Sequence, residues 1–305
     1  MDSKKVAIIG LGPAGVSCAI YLKRYGMEPV CFEKELVGGK VNKTETIENY
    51  AGLSKVKGPV LGAHLEDQLA SFSIKPIYRD VTSLTKNGDG SFHLVYGKEE
   101  QDFSYVVIAN GLKERPYHMD GEESFLRRGI SSCAICDGPL YKEKDVAVVG
   151  AGNAAFEEAS YLATICKSVA LIARRNEYRA DHASVERFLS YPNAKILSPY
   201  EIIHAEGTSH IEKITVRNRE TMEEASLSID GLFLYVGEIP QNDFIHIDGL
   251  QTENGFIRTD DGFMTSVKNL YAIGDCIDKK LRQIATAVSD GAIAATSIHD
   301  AYMKR

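Results

Sequence analysis

The chain has 305 residues and a formal net charge of −7 at pH 7, from 35 Lys and Arg against 42 Asp and Glu. Since proteins that bind duplex nucleic acid usually carry an excess of basic residues, this balance argues against a nucleic-acid partner. Hydrophobic residues at 44% and charged residues at 25% are ordinary for a globular protein, and they argue against a disordered, collagen-like or coiled-coil chain. At about 100–200 residues per domain, the length predicts two domains.

The chain opens with the order strand, glycine turn, helix, strand. An apolar run at 5–9 predicts a strand, a G-x-G-x-x-G motif follows at 10–15, and 16–25 has the apolar spacing of a helix. Glu33 stands at the end of the next strand. Such glycines let a pyrophosphate approach the backbone at a helix N-terminus, and an acid at this distance accepts hydrogen bonds from a ribose. We predict a dinucleotide site here; the alternative is a glycine-rich turn without a ligand.

The same stretch has one feature of a targeting signal. Lys4 and Lys5 precede an uncharged segment that ends at Leu22. Its glycines, its proline and the lack of a small-residue cleavage site before Lys23 argue against a signal peptide. No apolar run elsewhere approaches the ~20 residues that a membrane span needs. We therefore expect a cytoplasmic protein without membrane association.

A second glycine motif follows a predicted strand at 145–149. It reads Gly-Ala-Gly-Asn-Ala-Ala at 150–155, in which the final Ala is an accepted variant, and a helix and a strand come after it. That strand is followed by Arg174, Arg175 and Arg179 instead of an acid. Because guanidinium groups bind phosphate bidentately, the arginines predict a 2′-phosphate, and hence NADP as the nucleotide. The alternative is a solvated basic turn.

A Cys-x-x-Cys motif, Cys133 and Cys136, lies between the two glycine turns and is followed by Asp137. Near βαβ units this spacing predicts a redox dithiol, since one turn can close a disulfide across it. Asp137 would pass a proton to a departing thiolate or to a reduced flavin. A structural zinc needs four ligands, and the sequence offers no second Cys-x-x-Cys and no His pair at ligand spacing, so no metal is predicted. Four isolated cysteines are expected to be buried and inert: Cys18, Cys31, Cys166 and Cys276.

Two candidate linkers divide the chain, one at 113–116 and one at 237–242. They predict a domain of residues 115–242 inserted into a domain of residues 1–114 and 243–305. The predicted fold class is α/β, with two Rossmann-like nucleotide-binding domains of the three-layer ββα type, the second inserted into the first.

The motifs and their order resemble the low-molecular-weight thioredoxin reductases over nearly the whole chain. Residues 47–52 resemble the family's flavin-contacting segment, the dithiol motif at 133–138 is similar to its active-site sequence, and 274–283 resembles its C-terminal flavin motifs. The resemblance implies FAD in the first domain and NADPH in the second. For FAD it implies Gly10, Gly12, Pro13, Ala14, Gly15, Glu33, Lys34, Gly38, Gly39, Lys40, Asn49, Ala109, Gly111, Gly274, Asp275, Arg282, Gln283 and Ile284. For NADPH it implies Gly150, Gly152, Asn153, Ala154, Glu157, Arg174, Arg175 and Arg179.

The resemblance also implies an activity. Electrons would pass from NADPH through FAD and the dithiol to thioredoxin or a thioredoxin-like protein, in a homodimeric enzyme. Cys136 would face the flavin, Cys133 would attack the substrate disulfide, and Asp137 would be the general acid. Some positions depart from the family's usual residues: Lys40 for Gln, Asn110 for Thr, Ser132 for an aromatic residue, and Ala173 for His.

Other interpretations stay open. The enzyme class could be right and the partners different, with ferredoxin as the electron donor or a small dithiol as the substrate; the arginines argue against ferredoxin. A ferredoxin– or flavodoxin–NADP reductase shares the architecture, but its relatives lack the dithiol. A protein of another class, a non-catalytic flavin redox sensor, would bind both nucleotides without steady turnover.

Overall fold

The computed structural model describes residues 4–44, 46–115, 117–126, 128–250 and 252–304, with backbone only for Glu114 and Cys136. The chain divides into two compact units: Met1–Lys113 with Ile239–Arg305, and Glu114–Glu238. The boundaries expected from the sequence, 114/115 and 242/243, differ from these by one and four residues. The second boundary lies earlier because Gln241 bonds to the first unit: its carbonyl accepts from Asn110 Nδ2 at 2.6 Å, and its Oε1 accepts from Lys34 Nζ at 2.9 Å.

A five-stranded parallel sheet forms the centre of the first unit. Its strands lie in the spatial order Leu270–Ala272, Tyr105–Ile108, Lys5–Ile9, Glu28–Glu33 and Ile77–Tyr78. Along the central strand Val6 and Ile8 belong to one apolar cluster, whereas Ala7 and Ile9 belong to another. Both faces of the sheet are therefore buried, which explains why its strands are continuous apolar runs.

Different layers cover the two faces of this sheet. Helices pack on one face, through residues such as Leu22 and Ile298. A four-stranded, largely antiparallel sheet packs on the other, through residues such as Leu84 and Leu94. The helices are Pro13–Arg24, Gly58–Ser71 and Ile284–Met303, with 3-10 turns at Gly39–Lys43 and Gly274–Cys276. The strands of the second sheet are Ile245–His246, Val81–Lys86, Phe92–Tyr96 and Glu99–Phe103, and a small hairpin joins Thr252–Glu253 to Phe256–Ile257.

The second unit has the same three layers. Val146 and Val148 face a helical cluster that contains Phe156, while Ala147 and Val149 face an antiparallel sheet. The parallel sheet has the order Ala194–Leu197, Ser168–Ile172, Asp145–Val149, Gly231–Leu234 and Ile130–Ser131. The antiparallel sheet consists of Tyr200–Gly207, Ile211–Asn218 and Glu224–Ser228. The helices are Glu122–Phe125, Ala134–Asp137, Asn153–Ala163 and His182–Leu189, with a 3-10 turn at Gly138–Tyr141.

The connections between the units form a two-stranded sheet of Leu112–Glu114 and Glu238–Pro240. The predicted α/β fold class, with a βαβ unit opening each glycine motif, is confirmed. In the part of the chain that the structure describes, no helix is long and apolar enough to cross a membrane.

Candidate nucleotide and dithiol sites

The first glycine turn joins the central strand of the first unit to the helix Pro13–Arg24. Gly10 has a φ of +100°, and a Cβ there would overlap the carbonyl oxygen of Ala109. A Cβ at Gly15 would overlap the carbonyl oxygen of Gly10, whereas a Cβ at Gly12 would meet nothing within 4 Å. The fold itself requires Gly10 and Gly15. Gly12 instead faces open space at a helix N-terminus without a side-chain cap, where a phosphate fits.

Glu33 stabilises this turn by accepting two backbone hydrogen bonds. Its carboxylate is 8% exposed and accepts hydrogen bonds from the Leu11 N–H at 2.8 Å and the Glu35 N–H at 2.9 Å. The sequence predicted only a ribose contact for Glu33 and missed this role. Because each carboxylate oxygen has two lone pairs, both oxygens keep capacity for ribose hydroxyls.

The segment after the second strand lies beside the glycine turn. The Gly38 N–H donates to the Leu11 carbonyl at 2.8 Å, and a Cβ at Gly39 would lie 3.5 Å from the Gly12 Cα. Lys40 Nζ is 4.0 Å from Asp275 Oδ2. The exposed Lys34 side chain instead donates to Gln241 Oε1 at 2.9 Å. The structure thus brings most of this segment to the turn and directs Lys34 to the returning chain.

The C-terminal segment reaches the same place. Gly274 has a φ of +78°, and a Cβ there would lie 3.1 Å from the Ala14 Cβ, in the first turn of the N-terminal helix. A Cβ at Gly291 would overlap the Ala14 carbonyl, so the helix Ile284–Met303 needs a glycine to pack here. Gly291 belongs to none of the motifs recognised in the sequence. The contact sets the Gly274–Asp275 turn beside the first glycine motif.

Arg282 and Gln283 are largely committed to protein contacts. Arg282 donates to the carbonyls of Asp275 at 3.1 Å and Ile277 at 2.9 Å, and its guanidinium lies 4.2 Å from the centre of the Phe256 ring. Gln283 is the N-cap of the C-terminal helix, and its Oε1 accepts from Asn49 Nδ2 at 3.0 Å. The structure thus joins Asn49 to Gln283, and Arg282 fixes the shape of the loop.

Ala109 and Gly111 lie where the strand Tyr105–Ile108 ends. The Ala109 N–H donates to the Ile9 carbonyl at 2.8 Å, so this residue continues the sheet ladder next to the glycine turn. Gly111 has a φ of +63°, a conformation that favours glycine. Both positions are therefore explained by the backbone at the carboxyl edge of the sheet.

A buried ion pair stands behind the Gly274 turn, and the sequence reasoning missed it. Lys279 Nζ lies 2.6 Å from Asp290 Oδ2, with side chains only 14% and 8% exposed. The same oxygen accepts the Gly274 N–H at 3.0 Å. Asp290 therefore fixes Gly274, and Lys279 closes the loop that follows it. An acid among the small residues of the C-terminal helix was the available signal.

We expect Lys279→Met to lower the free energy of unfolding by about 3–5 kcal/mol, because it leaves a buried carboxylate without its partner. Lys55→Met is the matched control, since Lys55 and Glu48 are 3.1 Å apart but 68% and 56% exposed; its cost is expected to be about 0–1 kcal/mol. Urea unfolding measures both. Adding Asp290→Asn to Lys279→Met should restore stability, because the amide oxygen still accepts from Gly274. Equal costs for the two lysine variants would show that the buried pair contributes nothing special.

The second glycine turn repeats the division of roles. A Cβ at Gly150 would crowd Ala155 Cβ and the Tyr235 carbonyl, whereas a Cβ at Gly152 would meet nothing within 4 Å. Gly152 is the N-cap of the helix Asn153–Ala163, again without a side-chain cap. Asn153 Oδ1 accepts the Asp181 N–H at 2.8 Å. Ala154 is exposed in the first turn of the same helix.

The three arginines lie along the loop after the strand Ser168–Ile172, and all are exposed. The Arg179 N–H donates to the Ala151 carbonyl at 2.7 Å, which holds this loop against the glycine turn. Among the described residues, no carboxylate forms an ion pair with any of the three. Ala173, where the family usually has His, is a core residue with 1% exposure.

Glu157 lies on the second turn of this helix. Desolvation and the nearby Asp181 carboxylate raise its pKa, against the opposing effect of Arg187. Within the described ranges, nothing else assigns Glu157 to a nucleotide.

Cys133 is disulfide-bonded. Its N–H donates to Ser131 Oγ at 3.1 Å, and the Ser131 hydroxyl donates to Asp137 Oδ2 at 2.6 Å. The Asp137 N–H in turn donates to the Cys133 carbonyl at 3.1 Å. These bonds bring Asp137 to the disulfide loop through Ser131, a residue that the sequence reasoning missed. The side chain of Cys136, the predicted partner, lies outside the described part of the structure.

Tyr235 links the dithiol segment to the second glycine turn. Its hydroxyl accepts the Ala134 N–H at 2.9 Å, at the start of the helix that follows Cys133. Its carbonyl oxygen would lie 2.7 Å from a Cβ at Gly150. No sequence motif indicates Tyr235, because the contact joins segments 101 residues apart.

The isolated cysteines are free and buried, as predicted. Burial raises the pKa of Cys166 to about 11 and that of Cys31 and Cys276 to about 12, and it also raises the pKa of Cys18. Their thiols therefore stay protonated and unreactive near neutral pH. No cluster of His, Cys, Asp or Glu with metal-binding geometry occurs in the described ranges of the chain.

Residues 4–291 match the family model for pyridine nucleotide-disulphide oxidoreductases. The thioredoxin reductase of Ureaplasma parvum is 38% identical, over 95% of this chain and 94% of its own. The chain belongs to the thioredoxin reductase family. The Bacillus subtilis thioredoxin reductase is 34% identical, over 96% and 93% of the two chains.

Solved structures of thioredoxin reductases are similar to this chain as well. The thioredoxin reductase of Lactococcus lactis, at 32% identity, covers 99% of both chains with a TM-score of 0.95. A ferredoxin-flavin thioredoxin reductase from Clostridium acetobutylicum, at 27% identity, has a TM-score of 0.55. The expectations of an oxidoreductase, of a flavoprotein and of the thioredoxin reductase class are confirmed, and family membership implies a flavin and a pyridine nucleotide.

Proposed function

We propose that this chain is an NADPH-dependent thioredoxin reductase that carries FAD. The observation that carries the proposal is the disulfide-bonded Cys133, joined through Tyr235 to the glycine turn at 150–155. Three exposed arginines follow this turn, and no carboxylate among the described residues pairs with them. The first glycine turn, at 10–15 in the other unit, supplies an independent nucleotide site. A redox disulfide and two nucleotide sites are what a flavoprotein disulfide reductase needs.

The residues of the first unit fit FAD. Gly12 leaves space for a pyrophosphate at a helix N-terminus, and Glu33 has lone pairs for a ribose. The Gly274–Asp275 turn borders the same space. A bound flavin would take a hydride from the nicotinamide and deliver an electron pair to the disulfide. The remaining chemistry falls to side chains of this protein.

The dithiol would pass the electron pair to the substrate by thiol–disulfide exchange. The Cys133 thiolate attacks one sulfur of the substrate disulfide, which forms a mixed disulfide and releases a substrate thiolate. The Cys136 thiolate then attacks Cys133 Sγ, which restores the disulfide and releases the second substrate thiolate. Asp137, held by the Ser131 hydroxyl, is placed to hold and deliver a proton in this loop.

Anaerobic titration tests the proposal as a whole. We expect a yellow protein with one FAD per chain, whose flavin is bleached by NADPH and reoxidised by thioredoxin disulfide. A protein that binds both nucleotides but shows no steady turnover would instead be a redox sensor. Bleaching only by reduced ferredoxin would identify ferredoxin as the donor. The homodimer and the cytoplasmic location stay predictions.

NADPH should be preferred to NADH because of the arginine loop. Replacing Arg174 and Arg175 together by Ala is expected to raise the KM for NADPH about a hundredfold and to leave the KM for NADH nearly unchanged, because charge-assisted bonds to the 2′-phosphate are lost. Steady-state kinetics with both nucleotides measures this. Lys195→Ala, an exposed cation of the same unit, controls for a general loss of positive charge. Equal effects on NADPH and NADH would show that the arginines are only surface charges.

A further inference from the structure

Arg174 differs from the other two arginines because it has an aromatic support. Its guanidinium carbon lies 4.9 Å from the centre of the Tyr117 ring. Tyr117 is 4% exposed, and its hydroxyl accepts the buried Ile202 N–H at 2.8 Å. The ring is thus locked in the core and presents a fixed face to the arginine.

The backbone of Arg174 is fixed as well. Arg219 Nη1 donates to the Arg174 carbonyl at 3.4 Å. The preceding residue, Ala173, donates to the Leu197 carbonyl at 2.9 Å and accepts from the Tyr200 N–H at 2.9 Å. Both ends of the Arg174 side chain therefore have a defined position, although the side chain itself is exposed.

The Glu201 carboxylate forms ion pairs with two other arginines. Glu201 Oε1 pairs with Arg217 at 2.7 Å, and Glu201 Oε2 pairs with Arg219 at 3.3 Å. In the described ranges of the chain, no carboxylate pairs with Arg174. Because a guanidinium carries five N–H donors, Arg174 can contact the Tyr117 ring and still offer N–H groups to an anion.

We propose that Tyr117 is a positioning residue that determines nucleotide specificity: it holds the Arg174 guanidinium against its ring so that the edge binds the 2′-phosphate of NADPH. This inference rests on the proposed function. A free arginine side chain loses considerable rotamer freedom on binding, and the ring removes part of that freedom in advance. The effect applies only to a ligand with a 2′-phosphate, so NADH should not respond to it.

Tyr117→Leu removes the ring, whereas Tyr117→Phe keeps the ring and removes only the hydroxyl, which accepts the Ile202 N–H and also interacts with the Arg174 side chain. For Tyr117→Leu we expect the KM of NADPH and the Kd of 2′,5′-ADP to rise about two- to fivefold, with NADH and 5′-AMP unchanged. Tyr117→Phe should keep the wild-type ratios among the four ligands, although it lowers the free energy of unfolding because the buried Ile202 N–H loses its acceptor. Equal weakening of all four ligands by Tyr117→Leu would reduce Tyr117 to a core residue, and loss of preference in Tyr117→Phe would place the effect in the hydroxyl. Either result would overturn the inference.

Two further variants make the test independent of folding and of the proposed function. If Tyr117→Leu does not fold, Tyr117→Met fills the space with an unbranched side chain that lacks a ring, and the same shift is expected. In Arg174→Met, substitution of Tyr117 should produce no additional loss. A wild type without NADPH preference would refute the proposed function itself. A preference abolished by Arg174→Met but untouched by Tyr117→Leu or Tyr117→Met would refute only the role of Tyr117.

Discussion

Cys133→Ser and Cys136→Ser are each expected to reduce thioredoxin turnover about a thousandfold or more, with FAD still bound and still reducible by NADPH. Hydride transfer to the flavin needs only the two nucleotide sites. Onward transfer needs both sulfurs, because a mixed disulfide must be resolved by a second thiol. The loop should keep its shape in the variants, since the bonds at Ser131 and Tyr235 involve backbone N–H groups and not the sulfur.

The two variants should differ in what they trap. Cys136→Ser leaves the predicted outward nucleophile, so a thioredoxin disulfide should remain covalently attached, as mass spectrometry would show. Cys133→Ser should trap nothing. Cys166→Ala, at a buried free thiol of the same unit, serves as the control and should retain turnover. Turnover near the wild-type rate in both serine variants would remove the dithiol from the electron path and favour a flavin–NADP reductase.

Much of the fold can be predicted from the sequence because the patterns that specify it lie within short segments of the chain. The apolar run at 5–9 fills both faces of one strand, and Gly10 and Gly15 are required by contacts within the same turn. A strand, a glycine turn and a helix can therefore be predicted from a segment of about 25 residues. The same holds for the dithiol, whose geometry needs only one turn of chain.

The contacts that hold the candidate site residues in place cannot be predicted from the sequence, because they join distant segments of the chain. The Tyr235 hydroxyl contacts Ala134 across 101 residues, and Arg174 contacts the ring of Tyr117 from a distant part of the chain. Arg282 shows the converse problem. Its position in a motif suggested a contact with the flavin. In the structure, however, its Nε and Nη2 donate to backbone carbonyls, and its guanidinium group lies over the Phe256 ring. A motif gives the residue type, and only the tertiary structure shows which donors are already used.

The glycine turns allow loss of ligand to be separated from loss of fold. At Gly12 the backbone has φ −66° and ψ −179°, which any residue adopts, and a Cβ would meet no atom of the described residues within 4 Å. Gly12→Ala should therefore fold normally. Its methyl group would stand where the pyrophosphate has to approach the backbone, so we expect FAD affinity to fall about a hundredfold or more and the purified protein to be colourless.

Gly152→Ala is the matched variant in the other unit, with φ −105° and again no atom of the described part of the chain within 4 Å of the added Cβ. It should stay yellow and lose reduction by NADPH, because only the second nucleotide site is obstructed. Gly15→Ala should instead fail to fold, since its Cβ would overlap the Gly10 carbonyl. Flavin absorbance, NADPH titration and thermal unfolding of the apoproteins distinguish the three results. A yellow Gly12→Ala with wild-type FAD affinity would mean that the flavin does not approach this turn, and the assignment of FAD to the first unit would have to be abandoned.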